Sequence, residues 1–274
     1  METPRSVRRA LSERVVNSRR VFLGISAIVF VASVAMTIAS CASMAAMGNM
    51  EMPGGWVLSM MWMRMPGQSW LGAAASFVGM WTVMMVAMML PSLTPMLWRY
   101  GQAIDAAGAT RFGWLTSIVG AAYFVVWAVV GMIVFPLGVA LAASLMREPA
   151  LARVVPSGVG GAVLIAGWLQ YTGWKARHLA FCRNALGCGH TLPADAGSAW
   201  RHGLRLGLHC THSCVGLTAV ALSLGIMDVR VMAAVTVAVT AEHLAPVGVR
   251  FAHITGALAI GLGLRLIVRA SGLG

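Results

Sequence analysis

The chain has 274 residues, of which 59% are hydrophobic and only 10% are charged, and its mean hydropathy is +0.80. A soluble domain carries about 25% charged residues, so this composition excludes an ordinary soluble domain. The formal net charge of +12 would suggest a nucleic-acid partner on a soluble chain, but no basic loop here is interleaved with aromatic residues, and we therefore expect no nucleic acid.

Long apolar stretches recur from one end of the chain to the other, and a membrane-spanning helix needs about 20 mainly apolar residues. We therefore predict an all-α fold, a polytopic transmembrane helix bundle with six to seven spans. The predicted spans are residues 21–44, 71–97, 116–140, 154–171, 204–224, 230–241 and 251–268, of which the sixth is short. We expect a basic cytoplasmic segment at residues 1–20 and a single transmembrane helical domain at residues 21–274.

The basic residues indicate the orientation, because they cluster before the first span and between the fourth and fifth spans. By the positive-inside rule these segments face the cytoplasm, which places the N-terminus there. The predicted location is the bacterial inner membrane, with the lipid bilayer as a partner. Arg19 and Arg20 resemble a twin-arginine export signal, and residues 38–41 resemble a lipoprotein cleavage site. A first transmembrane helix with basic flanks is the favoured interpretation.

Cysteine and histidine are concentrated in one region. Cys41 lies alone at the outer end of the first span, whereas four cysteines and five histidines fall within residues 178–214. Those four cysteines are Cys182, Cys188, Cys210 and Cys214. Thiols that face the cytosol stay reduced, so a disulfide framework is not expected. Thiolate and imidazole suit Cu(I), Zn(II) and iron, so the region indicates transition-metal binding.

Helical geometry divides this region into two faces. Cys210 and Cys214 are one turn apart on one face of the fifth span, and the histidines 202, 209 and 212 lie on another. One ion cannot take all its ligands from this helix, so the cysteine pair needs ligands from Cys182, Cys188 or a neighbouring helix. The alternative is that the cysteines are small buried hydrophobes and the histidines form an interfacial belt.

Glu242 ends the sixth span and is followed by His243. A carboxylate at the edge of an apolar helix is costly unless it is paired or solvated. Glu242 is therefore a candidate metal ligand, a candidate hydrogen-bond partner for a metal-binding histidine, or a candidate salt-bridge partner for Arg205.

Methionine is abundant, with 20 residues concentrated in the first external loop and in the second span. In the second span Met84 and Met88 are one turn apart on one row, and Met85 and Met89 form a second row beside it. Thioether sulfur is a soft ligand that selects Cu(I), so these four residues are a candidate copper relay. The alternative is that methionine serves as an adaptable packing residue, although an exposed methionine-rich loop is harder to explain in that way.

Several motifs occur in a recognisable order between residues 70 and 246. They comprise residues 80–92, Tyr123, Trp127, Gln170, Tyr171, Lys175, Cys182, Arg183, Gly207, Cys210, Cys214, residues 225–228, Met232 and Glu242. In this order they resemble a family of predicted metal-binding integral membrane proteins of bacteria, long catalogued as a domain of unknown function. The resemblance implies metal binding, with copper as the usual suggestion, and it implies no established reaction.

Two departures from the family pattern concern the metal. The family often has Cys-x-Gly-Cys-Cys in the fifth span, where this chain has Ser213 in place of one thiol and His212 in addition. The family's glutamate is usually followed by lysine or arginine, where this chain has His243. Both changes keep soft or borderline ligands in place and leave the identity of the metal open.

The leading hypothesis is a copper-handling membrane protein that binds Cu(I), with Zn or iron as possible alternatives, and exchanges it with a metal-donor or metal-acceptor protein or moves it across the membrane. The candidate metal ligands are Cys210, Cys214, Cys182, Cys188, His212, His209, Glu242, Met84, Met85, Met88 and Met89. A second hypothesis is a membrane metalloenzyme or thiol oxidoreductase with Glu242 as acid and base. A third is a structural or assembly subunit without metal.

Overall fold

A computed structural model describes residues 4–46, 48, 50–64, 67–106, 112–184, 195–245 and 247–272, with side chains in the first helix from residue 17 onward. Within these ranges the chain forms eight α-helices, a short β-hairpin and one turn of 3-10 helix. The elements are α1 Pro4–Ala46, β1 Met50–Met52, β2 Trp56–Leu58, the 3-10 turn Met60–Trp62, α2 Trp70–Ala106, α3 Phe112–Arg147, α4 Pro149–Leu169, α5 Gly173–Asn184, α6 Ala196–Leu224, α7 Val229–Leu244 and α8 Gly248–Ala270. The prediction of an all-α helix bundle is confirmed.

Six of these helices are long and apolar enough to cross a membrane. Three of them are parts of longer helices: Asn17–Ala46 of α1, Trp70–Ile104 of α2 and Gly113–Arg147 of α3. The other three are the whole of α4, α6 and α8. The sixth predicted span corresponds to α7, which has only 16 residues. Large apolar side chains such as Leu71, Leu137 and Leu258 are 64–81% exposed on the outside of the bundle. Such surfaces are typical of helices that face lipid.

Small residues allow the helices to approach closely. In the α4–α8 pair, a Cβ on Gly167 would lie 2.8 Å from the Gly256 carbonyl oxygen, and one on Gly263 would lie 2.8 Å from the Gly160 carbonyl oxygen. In the α3–α6 pair, a Cβ on Gly203 would lie 2.4 Å from the Val119 carbonyl oxygen. Close packing of this kind drives helix association in membranes, where the hydrophobic effect between helices is absent.

The boundaries of α6 and α7 follow from residues with capping chemistry. Asp195 accepts a hydrogen bond from the Ser198 backbone N–H at 2.9 Å, which fixes the start of α6 and holds the pKa of the Asp195 carboxyl below its usual value. Gly225 ends α6 with a φ of +114°, a backbone conformation that favours glycine. Asp228 accepts a hydrogen bond from the Arg230 N–H at 2.8 Å and starts α7. The chain therefore reverses within a few residues, and α7 packs back against α6.

The methionine-rich loop between α1 and α2 is a folded cap on the bundle. Its antiparallel hairpin pairs Met50 with Leu58 and Met52 with Trp56. Met52 packs in a small core on α3 and α4, and the Trp56 indole N–H donates to the Ala152 carbonyl at 2.8 Å. Met61 is buried in the main core. We expected much of this loop to be exposed to solvent, and residues such as Glu51 and Gly54 are exposed. Met52 and Met61 are nevertheless buried, because the loop folds onto the helix ends.

Candidate metal centre

The two cysteines on α6 face the centre of the bundle. Cys210 and Cys214 are both buried, and their Sγ atoms are 3.8 Å apart. This separation follows from their spacing of one helical turn. The two thiols can therefore bind one ion together.

His243 on α7 completes a group of three ligand residues. Its Nε2 is 4.0 Å from Cys210 Sγ, and the ligand atoms of Cys210, Cys214 and His243 all lie within 4.8 Å of one another. Within the residues that the structure describes, these three form a group of histidine and cysteine side chains close enough together to hold one metal ion. That a neighbouring helix supplies a further ligand to the cysteine pair stays a prediction, and His243 on α7 is the candidate.

The orientation of the His243 ring follows from its other nitrogen. Nδ1 is 2.8 Å from the Val239 carbonyl oxygen, which can only accept, so Nδ1 carries the hydrogen and donates it. In the neutral ring, Nε2 is then the nitrogen with the lone pair, and it faces the thiols. A metal-binding histidine generally donates its second N–H to a carbonyl or carboxylate in this way.

Two hydroxyl groups support the thiols. The Tyr123 hydroxyl on α3 donates to Cys210 Sγ at 2.9 Å in a fully buried contact. Ser213 donates to the Cys210 carbonyl at 2.9 Å, and its Oγ lies 3.5 Å from His243 Nε2. The tyrosine hydroxyl and the serine therefore fix the position of the Cys210 side chain and of the backbone that carries it.

Glu242 lies beside this group but its carboxylate is engaged elsewhere. Lys175 Nζ on α5 is 2.6 Å from Oε2, and the Thr255 hydroxyl on α8 donates to Oε1 at 2.7 Å. The salt bridge is with Lys175 and not with Arg205, because Arg205 lies on an exposed face of α6. With both oxygens occupied, Glu242 links α5, α7 and α8 and holds the end of α7 that carries His243.

The predicted histidines His209 and His212 lie on the other face of α6. His209 is half-buried and His212 is exposed, and both contact His178 on α5. They are not part of the group formed by Cys210, Cys214 and His243. The division of α6 into a cysteine face and a histidine face, expected from helical geometry, therefore agrees with the structure.

The remaining predicted ligands occupy the core or lie outside the described ranges. Met84, Met85, Met88 and Met89 are at most 2% exposed and share one buried cluster with the two thiols of α6. Cys182 on α5 is buried in the same cluster but is not part of the three-ligand group. Cys188 lies outside the described residues.

His243 was not among the predicted ligands, yet the sequence contained a signal for it. Cys210 lies 14 residues before the last residue of α6, and His243 lies 14 residues after the first residue of α7. Two antiparallel helices joined by a tight turn bring such positions to the same level. Tyr123 and Lys175 appear in the family motifs, but their positions along the chain do not indicate which residues they contact.

A family model described as PpoB2, a copper chaperone, matches residues 78–266, which is more than half of the chain. The match includes α3, α5, α6 and α7 and therefore every residue of the three-ligand group. No curated protein and no solved structure matches the chain.

Proposed function

Because the chain belongs to the PpoB2 copper chaperone family, we propose that it is a membrane protein of the bacterial inner membrane that binds Cu(I) and passes it to a partner protein. The proposed ligands are Cys210, Cys214 and His243. The observation that carries the proposal is the buried group of two thiols and one imidazole with ligand atoms within 4.8 Å of one another.

The set of ligand atoms favours Cu(I) over the alternatives. Thiolate is a soft ligand that selects Cu(I), and oxygen-preferring ions such as Mg²⁺ and Ca²⁺ find no carboxylate available because Glu242 is paired. A structural zinc site takes four protein ligands, one more than this group provides. Zinc and iron are therefore the second choices.

The charge of the loaded site also fits its surroundings. Two thiolates and one Cu(I) carry a net charge of −1, which is costly in a buried position unless a positive group lies nearby. Lys175 is close enough to act electrostatically on Cys214. The Tyr123 hydroxyl adds a hydrogen bond to Cys210. Both groups would act favourably on the negative charge of the copper-loaded site.

The methionines of α2 offer further soft ligand atoms in the core of the bundle. Their thioethers share the buried cluster that contains Cys210 and Cys214. We propose that Met84, Met85, Met88 and Met89 act as weak, soft sites through which Cu(I) exchanges with the thiol pair. A chaperone has to release its cargo, and thioethers, which carry no charge, hold Cu(I) less tightly than thiolates do.

The test is the Cu(I) content of protein purified in detergent under anaerobic conditions, measured against a chromogenic Cu(I) chelator. We expect the Cys210→Ser/Cys214→Ser double variant to lose bound Cu(I). A matched control is Cys41→Ser/Cys182→Ser, which removes two buried thiols outside the group and should retain the copper. We expect His243→Gln to weaken Cu(I) binding by about tenfold or more. Equal copper in the double variant and the wild type would show that the assignment is wrong.

A further inference from the structure

The indole N–H of Trp127 on α3 is a buried donor without an acceptor. The Trp127 side chain is 1% exposed, and among the residues that the structure describes its Nε1 has no partner at hydrogen-bond geometry. The indole N–H of Trp81, by contrast, donates to the Trp127 carbonyl oxygen at 2.8 Å. An unpaired polar group is costly in a core that faces lipid, so the Trp127 N–H is a donor for which a second state of the protein can supply an acceptor.

The packing of α3 against α6 places Trp127 at the level of the thiol pair. A Cβ on Gly203 would touch the Val119 carbonyl oxygen, and a Cβ on Gly207, one turn later, would touch a carbonyl oxygen of the next turn of α3. The two helices therefore run in the same direction. The following turn brings Trp127 on α3 to the level of Cys210 on α6.

The Tyr123 hydroxyl lies between the indole and the thiols. Tyr123 and Trp127 are one turn apart on the same face of α3, and the indole N–H is close enough to influence the hydroxyl. The hydroxyl donates to Cys210 Sγ at 2.9 Å. A hydroxyl oxygen can accept a hydrogen bond while its own hydrogen is donated, so Tyr123 can link the Trp127 N–H to Cys210.

We propose that Trp127 is a positioning residue of the Cu(I) site, whose indole N–H donates to the Tyr123 hydroxyl and through it supports Cys210 when copper is bound. This inference rests on the proposed binding of Cu(I) by Cys210 and Cys214. Copper takes the place of the thiol hydrogen, so Cys210 becomes a thiolate, which accepts the tyrosine hydrogen bond more strongly than a thiol does.

A stronger bond from the tyrosine makes its oxygen a better acceptor, because hydrogen bonds in a chain polarise one another. The Trp127 N–H then gains the partner that it lacks in the metal-free protein. An interaction that is made only in the loaded state adds to the affinity for copper and not to the stability of the metal-free protein.

The experiment uses the full chain in detergent under anaerobic conditions and measures Cu(I) affinity against a chromogenic chelator. We expect Trp127→Phe, which keeps an aromatic ring and removes the N–H, to lower the affinity by about tenfold. The matched control is Trp56→Phe, which makes the same change in the cap and removes an N–H that donates to the Ala152 carbonyl oxygen. We expect this control to lower the unfolding temperature and to leave the Cu(I) affinity unchanged.

A double-mutant cycle with Tyr123→Phe separates a role through the tyrosine from a general disturbance of the core. We expect Trp127→Phe to lower the affinity when Tyr123 is present and to have no further effect in the Tyr123→Phe background. Ultraviolet resonance Raman spectra should show a copper-dependent change in indole hydrogen bonding that Trp127→Phe abolishes. An equal loss of affinity in both backgrounds would overturn the role of Trp127.

Failure of this inference is distinguishable from failure of the proposed function. If Trp127→Phe binds Cu(I) as the wild type does while Cys210→Ser/Cys214→Ser loses it, the role of Trp127 is wrong and the thiol site stands. If the double cysteine variant retains its copper, the proposed function is wrong and the inference fails with it.

Discussion

At the scale of single residues, the buried ion pair between Lys175 and Glu242 is the costliest feature of the site. Neither side chain is more than 5% exposed. Removing one partner leaves an uncompensated charge in a medium of low dielectric, whereas removing both charges leaves none. Single and double variants of this pair therefore test whether the end of α7 is held mainly by electrostatics.

We expect Glu242→Gln or Lys175→Met alone to destabilise the protein by about 3–5 kcal/mol, and the double variant to recover most of that loss. Glutamine keeps an oxygen for the Thr255 hydroxyl, so the comparison isolates the charge. Thermal unfolding in detergent, followed by a thiol-reactive dye, is a suitable measurement because Cys41, Cys182, Cys210 and Cys214 are buried. Additive losses in the double variant would contradict the expected coupling.

The same residues show which parts of the site could be predicted from the sequence. The approach of Cys210 to Cys214 is local, because one helical turn fixes it. Lys175 and Glu242 are 67 residues apart, and only the packing of α5 against α7 brings them together. Helix packing is decided by surface shapes that no single segment encodes. The sequence taken one segment at a time could therefore not identify Lys175 as the partner of Glu242.

At the scale of elements, small residues determine how closely the helices pack. Gly203 on α6 faces the α3 backbone so closely that a Cβ would lie 2.4 Å from the Val119 carbonyl oxygen and 2.7 Å from the Ala122 Cβ. Neither atom is at the end of a flexible side chain. This contact sets the α3–α6 distance and with it the approach of Tyr123 to Cys210.

We expect Gly203→Ala to force α3 and α6 apart, to destabilise the protein by about 1–3 kcal/mol, and to weaken Cu(I) binding. The matched variant is Gly161→Ala on α4, where a Cβ meets nothing within 4 Å. In a helix that substitution should be neutral or stabilising by up to about 1 kcal/mol. Thermal unfolding of the two variants in the same detergent compares them, and equal unfolding temperatures would show that the α3–α6 contact is not tight.

The spans themselves were predictable because each is a continuous apolar segment, and length and composition are local properties. The methionine-rich loop was not, because its burial depends on the ends of α3 and α4, against which Met52 packs. The contribution of α7 was also underestimated. Its 16 residues form a weak apolar signal, yet it carries one of the three candidate ligands.

At the scale of the whole molecule, contacts at the two ends of the bundle indicate the path of α7. Just before α7 begins, Met227 Sδ lies 3.8 Å from Cys41 Sγ near the end of α1. Near its last residue, Glu242 meets Lys175 on α5, which follows α4. α7 therefore runs between the two ends. At about 1.5 Å per residue it measures about 24 Å, somewhat short of the hydrocarbon core of about 30 Å.

A seventh crossing would place the connection between α7 and α8 on the same side as the start of α6. We expect a membrane-impermeant maleimide to label Glu51→Cys from outside intact cells and not to label Ala196→Cys or Val247→Cys. All three positions are exposed, and the Cys188→Ser background removes the thiol outside the described residues. Labelling of Val247→Cys together with Glu51→Cys would show that α7 does not cross. Labelling of Ala196→Cys without labelling of Glu51→Cys would reverse the orientation expected from the basic residues. Detergent-solubilised samples provide the control in which all three should react.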